Sequence, residues 1–394
     1  MTPARRALFA LALGGFGIGT GEFVMLGLLP NVATSLHASI PQAGDLIAAY
    51  ALGVVIGAPL LTPVSVWMPR RRFLLLAAAV LAAGNLASAL APDYGVLLVV
   101  RFLAGLPHGA YFGVASVVAG RLVAEHRRST AMAVVFAGLT LANVVGVPLT
   151  TLVGQHLGWR ITYGLVAAIE LAAIAAIVLA VPRAVADAHD GEERVRLRHE
   201  LGAFRQRQIW LALAIAMIGG GALFCTFSYI TPMMIRVAGY PPSAITGLLV
   251  LFGLGMTGGN LVGARFADRS LMGTISLALA GESVVAVVFF FAAHNEITAL
   301  LGLFGLPFCA LAILPALQNR IISLAGGAPN LAAASIHAAF NIANSLGAWV
   351  GGAVIAAGLG YAAPNLAAAG FALVGLLIAM TAAGLERRTR ATVR

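Results

Sequence analysis

The sequence predicts an all-α integral membrane protein with twelve transmembrane helices, arranged as two pseudo-symmetric six-helix bundles. Of the 394 residues, 60% are hydrophobic and only 10% are charged, whereas soluble domains carry about 25% charged residues. Apolar runs of roughly 20 residues recur along the whole chain, and each is long enough to cross a hydrocarbon core. These runs are too long and too continuous for the alternating strands of an outer-membrane barrel.

Charge clusters and Pro/Gly turns divide the chain into twelve spans. The first six run near 7–34, 42–67, 73–91, 94–121, 129–153 and 160–181. The second six run near 208–235, 242–264, 271–292, 297–320, 329–357 and 363–385. We therefore assign residues 1–181 to an N-terminal bundle, the polar segment 182–207 to a cytoplasmic linker, and residues 208–394 to a C-terminal bundle.

The basic residues predict the orientation of these spans. All 24 of them are Arg, and 21 of these cluster in alternate loops, at 5–6, 70–72, 121–128, 183–207, 265–269, 320 and 387–394. By the positive-inside rule, these loops and both termini are cytoplasmic. The net charge of +10 is thus an orientation signal, and we expect no nucleic-acid partner. We interpret the Arg-flanked N-terminus as a retained first helix rather than a cleaved signal peptide.

The two halves resemble repeats of one unit, as expected for transporters that arose by duplication. Asn143 and Gly146 in the fifth span correspond to Asn344 and Gly347 in the eleventh. This pattern favours two bundles that enclose a central cavity. Small residues that predict close helix packing recur in the fourth and eighth spans, at Gly105, Gly109, Gly113, Gly255, Gly259 and Gly263.

A single carboxylate, Glu22, is the only charged residue between Ala7 and Gly44. An intramembrane charge costs about 2.5–3.5 kcal/mol on insertion scales, so such a group usually faces a polar cavity or a partner. Arg101 in the fourth span lies at a comparable depth, and protonation of Glu22 beside it would change the local field. We therefore predict a proton-coupling pair, with a static ion pair that only fixes packing as the alternative.

Two further polar groups extend this prediction. His108 lies seven residues after Arg101, on the same helix face, and an imidazole can join a proton relay or bind substrate. A His that is merely hydrogen-bonded within the bundle is the alternative. In the eleventh span, His337, Asn341 and Asn344 share one face, which predicts a cavity-lining stripe. Glycine-rich helix packing with Asn hydrogen bonds is its alternative.

Aromatic residues supply candidate walls for an apolar ligand, because such sites are mostly hydrophobic with few polar anchors. The candidates are Tyr50, Phe224, Phe227 and Tyr229, although aromatic residues are common in spans for packing reasons alone. Asn143 is a further substrate-binding candidate from the repeat. Glu170 and Glu282 are also intramembrane carboxylates.

Five stretches of sequence carry a family resemblance. RFLAGLPHGAYFG (101–113), GLTLANVVGVPL (138–149) and GARFADR (263–269) resemble motifs of the major facilitator superfamily and its proton-coupled exporters. GTGEFVMLGLLP (19–30) and HAAFNIANSLGAWVGG (337–352) are similar to those of bacterial arabinose-efflux-type permeases in the drug:proton antiporter branch, a group that includes purine-nucleoside and chloramphenicol exporters. The resemblance covers nearly the whole chain.

The resemblance implies a gating role for the loop between the eighth and ninth spans, through Arg265, Asp268 and Arg269. The equivalent loop in the first half, TPVSVWMPRRR (62–72), lacks the usual Asp of that motif. The resemblance also places the sixth and ninth helices at the periphery, which implies a structural or half-exposed role for Glu170 and Glu282, with a second protonation site as the alternative for Glu282.

The resemblance and the residues together predict a monomeric, proton-coupled antiporter of a bacterial cytoplasmic membrane. It would export a small drug-like, sugar-like or nucleoside-like molecule by alternating access, with the proton gradient as energy source and no cofactor or metal. The alternative is a symporter or facilitator that takes up a sugar or nucleoside. No nucleophile–base pair, metal-ligand cluster or P-loop in the sequence favours an enzyme or an ATP-driven pump.

Overall fold

The computed structural model describes residues 2–124, 127–186, 205–325 and 329–392. Most of the predicted linker, residues 187–204, lies outside these ranges. Within them, twelve helices are long and apolar enough to cross a membrane, and every regular element is helical. The predicted fold class, an all-α membrane protein with twelve spans, is therefore confirmed.

The first half contains six spans. They begin with α1 (Pro3–Ser35), α2 (Ile40–Trp67), α3 (Arg70–Leu90) and α4 (Tyr94–Arg121). The fifth, α5, consists of Arg128–Leu141, a π-helical turn Ala142–Gly146, and Val147–Leu157. The sixth, α6 (Trp159–Ala180), is followed by a single helical turn, Arg183–Ala186.

The second half repeats this arrangement. Its first span, α7, consists of Arg207–Ala214, a π-helical turn Ile215–Gly219, Gly221–Phe227 and Ile230–Arg236. The others are α8 (Ile245–Ala267), α9 (Leu271–Ala292), α10 (Glu296–Ala325), α11 (Pro329–Ala356) and α12 (Pro364–Thr392).

Helix ends depart from the predicted bounds where polar residues continue the backbone hydrogen bonding. The sequence pattern marks only the apolar part that can lie in lipid, so α12 extends seven residues beyond the predicted 385, to Thr392. Helix starts have local causes. Ser39 and Gln42 form a capping box at α2, and the Asp93 carboxylate accepts from the Val96 backbone N–H at 2.9 Å at the start of α4.

The described chain divides into two compact units. One contains α1–α6 together with Ile245–Val250, and the other contains the rest of α7–α12. Each has its own apolar core, drawn from five helices in the first unit and from six in the second. The core of the first unit includes Leu11, Leu74, Tyr111, Val135 and Ile177. The core of the second includes Ile209, Leu279, Leu317, Ile336 and Ala379.

Glycines bring helix backbones together at the predicted places. A methyl group on Gly105 would overlap the backbone carbonyl of Tyr50 in α2, and one on Gly53 would overlap that of Phe102 in α4. In the second unit, Gly255, Gly259 and Gly263 contact the backbone of α10 in the same way. Gly113 is an exception, because nothing lies within 4 Å of the position of its missing side chain.

The resemblance between the halves is visible in one pair of helix contacts. Gly138 and Gly146 of α5 pack against Ala12 and Thr20 of α1, so the two helices run in the same direction. In the second unit, Gly347 and Gly351 pack α11 against α7 in the same parallel sense, at Gly221 and Cys225. The fifth-span motif therefore tightens the contact with the helix that carries Glu22.

Candidate functional site

A cluster of polar side chains lies inside the first unit, between α1, α2 and α4. It contains three residues predicted for proton coupling and one predicted as an aromatic wall, namely Glu22, Arg101, His108 and Tyr50. All four are buried, with 5%, 0%, 4% and 2% of their surfaces exposed, respectively. Glu22 lies 19 residues after the start of α1 at Pro3, or about 28 Å at the helical rise.

His108 connects the acidic and the phenolic member of this cluster. Its Nδ1 atom lies 3.9 Å from Oε2 of Glu22 and 3.3 Å from the hydroxyl of Tyr50. A protonated Nδ1 can interact with the Glu22 carboxylate, whereas an unprotonated Nδ1 accepts a hydrogen bond from the Tyr50 hydroxyl. One ring nitrogen thus faces two groups that favour its opposite protonation states.

The local sequence explains how His108 reaches this position. Pro107 precedes it within α4, and a proline inside a helix removes one backbone hydrogen bond and allows the helix to bend. Gly105 lets α4 approach the backbone of α2 at Tyr50. The glycine contact and the proline therefore set the register that brings Tyr50 and His108 together.

Arg101 binds the backbone of α1 beside Glu22. Its Nη2 atom donates to the carbonyl oxygen of Gly21, the residue before Glu22, at 3.0 Å. Its guanidinium carbon lies 4.3 Å from the ring centroid of Tyr50 and 5.3 Å from that of Tyr163. In the described part of the chain, Nε and Nη1 have no hydrogen-bond partner, so two aromatic faces and one carbonyl hold this buried cation.

Two residues of this environment are absent from the sequence prediction. Tyr163 of α6 lies beside Arg101, and Asn85 of α3 lies against Gly21. Asn85 is 2% exposed, and its side-chain oxygen has no hydrogen-bond partner among the described residues. A lone amide in the otherwise apolar third span is a signal that could have identified Asn85. A single tyrosine in a span gives no comparable signal.

The resemblance implied a structural or half-exposed role for Glu170 and Glu282, and the half-exposed alternative is wrong, because both are fully buried, each within its own unit. Neither carboxyl oxygen of either residue has a hydrogen-bond partner in the described ranges. Glu170 of α6 lies against Gly17 of α1. A peripheral helix need not expose all of its faces, and these two side chains point into the bundle, so the structural alternative stays open.

Asn143 lies in the π-helical turn of α5. Its amide nitrogen donates to the Leu139 carbonyl at 3.1 Å, and its buried side-chain oxygen has no partner among the described residues. A π turn contains one extra residue per turn and often occurs at functional sites. The structure thus presents a hydrogen-bond acceptor at this candidate position.

The candidate residues of α11 lie together on one helix face in the second unit. Asn341 donates to the carbonyl of His337 at 3.0 Å, and Asn344 is 1% exposed. The side-chain oxygen of Asn341 is buried, with no hydrogen-bond partner in the described part of the chain. The second unit thus also presents a buried acceptor, three residues before Asn344, which is the repeat counterpart of Asn143.

The aromatic candidates of α7 make mainly packing contacts. Phe227 stacks on Phe252 of α8, with ring centroids 4.2 Å apart. The Tyr229 hydroxyl donates to the Ala348 carbonyl of α11 at 2.7 Å, and Phe224 lies against Gly347. These contacts join α7 to α8 and α11.

The predicted gating residues lie at the end of α8. Arg265, Asp268 and Arg269 are all exposed, and the Arg269 guanidinium lies 5.7 Å from the ring centroid of Phe266. No ion pair formed by these three side chains is present among the described residues. The gating role stays a prediction.

Comparisons with known proteins agree with this architecture. The family model described as Major Facilitator Superfamily matches residues 11–335. The chain is 40% identical over 376 residues to the inner membrane transport protein YdhP of Escherichia coli (strain K12), covering 95% of both chains. It is 33% identical to the chloramphenicol resistance protein of Streptomyces lividans, covering 91% of this chain and 90% of that protein.

A solved structure resembles the whole chain at low identity. It is a bacterial homologue of the human lysosomal transporter Spinster, in an inward-facing and occupied conformation. The TM-score is 0.74 at 15% identity, and the match covers 97% of both chains. At this identity the likeness concerns the fold alone.

Proposed function

Because this chain belongs to the Major Facilitator Superfamily and is therefore a multi-pass membrane transporter rather than an enzyme, we propose that it is a proton-coupled exporter. It exchanges a small molecule for protons by alternating access across a bacterial cytoplasmic membrane, with both termini cytoplasmic. The name of the 40% identical relative, an inner membrane transport protein, supports the location. The alternate Arg-rich loops support the orientation.

The observation that carries this proposal is the position of His108 Nδ1 between Glu22 and Tyr50. When Glu22 is ionised, a protonated His108 interacts with it. That proton can pass from His108 Nδ1 to Glu22; the attraction is then lost, and the deprotonated Nδ1 can accept from the Tyr50 hydroxyl. The transfer changes a contact between α1 and α4 into one between α2 and α4, which gives the two forms different helix contacts.

Arg101 makes this exchange sensitive to the charge of Glu22. Its cation is buried on the carbonyl of Gly21 and on the ring of Tyr50, next to both partners of His108. In a low-dielectric interior, charges at such short range interact much more strongly than in water. Neutralising Glu22 therefore changes the field around a fixed positive charge, and proton binding can favour one transport state over the other.

The exported molecule is a small drug-like, sugar-like or nucleoside-like compound that offers hydrogen-bond donors. Within the second unit, the buried side-chain oxygen of Asn341 supplies an acceptor, and apolar surroundings with a few polar anchors are typical of ligand sites. The similarity to a chloramphenicol resistance protein over 91% of this chain supports phenicol-type antibiotics as one class to test.

The test uses the purified full chain in proteoliposomes. A thermal-shift screen of chloramphenicol, arabinose and purine nucleosides selects the substrate, and its accumulation is then measured under imposed pH gradients. We expect an acidic lumen to drive substrate accumulation inside the proteoliposomes. Protons then flow outward and drive substrate inward, whichever way the protein is inserted. Accumulation driven by an acidic exterior would instead identify a symporter, and equilibration without accumulation, at a rate independent of the pH gradient, would identify a facilitator.

A further inference from the structure

We propose that the end of the first unit where α1 and α3 begin and α6 ends binds the phosphate headgroup of an anionic phospholipid. A cavity of about 410 Å³ lies at this end, within the size range of small-molecule sites. Its lining comes from the starts of α1 and α3 and from the last residues of α6 and the turn that follows. These residues are Pro3, Arg6, Arg71, Val178, Leu179, Ala180, Val181, Pro182 and Arg183.

The charge of the cavity matches a phosphate. Three guanidinium groups line it, from Arg6, Arg71 and Arg183, and no described lining residue is acidic. Guanidinium groups bind phosphate oxygens with paired N–H donors in a fixed geometry. The N-termini of α1 and α3 add their positive helix ends to the same region.

One of the three arginines is held in place by the protein. Arg71 is 8% exposed, and its Nη2 atom donates to the carbonyl of Val178 at 2.6 Å. This bond joins the first turn of α3 to the last turn of α6 and fixes one wall of the cavity. Arg6 and Arg183 are exposed, so they can reach an oxygen of a bound headgroup without breaking a buried contact.

The apolar side of the cavity favours a lipid over a free anion. Leu179 is 86% exposed and Val178 is 48% exposed, and both lie on the last turn of a membrane-spanning helix. An acyl chain can cover these side chains while the phosphate remains at the guanidinium groups. Basic pockets between helices at the membrane surface bind lipid headgroups on these grounds.

Neighbouring arginines separate this proposal from a general orientation signal. Arg5 is the neighbour of Arg6, and Arg72 is the neighbour of Arg71. Both are exposed, but neither lines the cavity. If the clusters only fix orientation, all four exposed arginines, Arg5, Arg6, Arg72 and Arg183, are equivalent towards lipid. A headgroup site requires that loss of the lining pair, Arg6 and Arg183, weaken lipid binding more than loss of Arg5 and Arg72.

The experiment compares the full chain with two double variants of equal net charge. Arg6→Gln/Arg183→Gln removes two lining cations, and Arg5→Gln/Arg72→Gln is the matched control; Arg71 is kept because its buried hydrogen bond supports the fold. Phosphatidylglycerol binding is measured in detergent by native mass spectrometry, with phosphatidylcholine as the neutral competitor. We expect the lining variant to lose about tenfold in affinity for phosphatidylglycerol, and the control to bind like wild type.

Two outcomes would overturn the proposal. One is an equal loss in both double variants, because it would show a diffuse effect of net charge. The other is displacement of bound phosphatidylglycerol by inorganic phosphate as effectively as by further phosphatidylglycerol, because it would show an anion site that does not recognise the lipid. Thermal melting of both variants in the same detergent without added lipid shows whether the fold is intact, and unequal lipid binding by equally stable variants supports the site.

Discussion

The carboxyl group of Glu170 occupies the space that a side chain on Gly17 would fill. A methyl group built on Gly17 would overlap both the carboxyl carbon and one oxygen of Glu170. The two residues belong to helices α1 and α6, and Glu170 is fully buried there. This fit ties the helix that carries Glu22 to a second intramembrane carboxyl within the same unit.

We therefore expect Gly17→Ala to destabilise the protein, because inserting a methyl group into a packed interior costs about 1–3 kcal/mol. The measurement is the midpoint of thermal unfolding in detergent. Glu170→Ala in the Gly17→Ala background should recover part of the loss, since it removes the overlapping carboxyl. Additive effects of the two substitutions would show that the residues do not compete for this space. Gly113→Ala is the matched control, because its side chain would meet nothing within 4 Å.

Much of the fold and part of the site follow from the sequence. Apolar runs and Arg clusters predict the twelve spans, because a helix needs about 20 apolar residues to cross the hydrocarbon core and basic residues are enriched in cytoplasmic loops. The i, i+7 spacing of Arg101 and His108 predicts their common helix face. Tyr50 could not be placed beside them, because its register depends on how Gly105 packs α4 against α2. Such registers between helices are set by tertiary packing, which one sequence does not encode as a pattern.

The same reason explains the contacts that the sequence left undecided or missed. A buried carboxyl at Glu170 needs a glycine opposite it on another helix, which no spacing within α6 reveals. Tyr163 reaches Arg101 across helices. The aromatic residues of α7 satisfy the rule for a ligand wall, but Tyr229 donates its hydroxyl proton to Ala348. Composition alone does not separate a ligand wall from a helix contact.

Glu22→Gln should abolish transport driven by a pH gradient. Substrate exchange in the absence of a gradient should remain intact. The amide keeps the shape of the carboxyl but cannot take up and release a proton, so it mimics the proton-loaded form. Gradient-driven accumulation and substrate counterflow are measured side by side in proteoliposomes. Glu296→Gln, at an exposed carboxyl at the start of α10, is the control and should behave like wild type. Normal gradient-driven accumulation by Glu22→Gln would refute its role in proton coupling.

Tyr50→Phe should shift the pH dependence of transport with little change in stability. The substitution removes the hydroxyl that faces His108 Nδ1 at 3.3 Å but keeps the ring beneath Arg101. Transport rates are measured from pH 5.5 to 8.5, a range that spans the usual titration of His. Tyr111→Phe is the matched control, since its hydroxyl donates to the Leu11 carbonyl at 3.1 Å outside the cluster. Identical pH profiles for wild type and Tyr50→Phe would exclude the proposed exchange of His108 partners.

Arg101→Lys should impair both folding and transport even though the positive charge remains. An ammonium group lacks the planar surface that lies over the Tyr50 ring at 4.3 Å, and a desolvated cation–π contact contributes about 2 kcal/mol. We expect a lower unfolding midpoint and weaker gradient-driven transport. Arg160→Lys, whose guanidinium lies over Trp159 at the start of α6, provides a comparison outside the cluster. Wild-type transport by Arg101→Lys would mean that charge alone is sufficient at this position.

Asn341→Leu should leave stability unchanged or raised and weaken substrate binding. The side-chain oxygen of Asn341 is buried without a hydrogen-bond partner in the described residues, and replacing such a group by an apolar one of similar size is close to neutral or stabilising. If that oxygen accepts from the substrate, its removal lowers affinity, which is measured as the substrate-induced shift of the unfolding midpoint.

Tyr229→Phe is the structural comparison in the same unit. It loses the bond to Ala348, worth about 1 kcal/mol, and should lower the midpoint without reducing the substrate-induced shift. The reverse pattern, with Asn341→Leu destabilised and fully able to bind, would make the α11 face a packing surface.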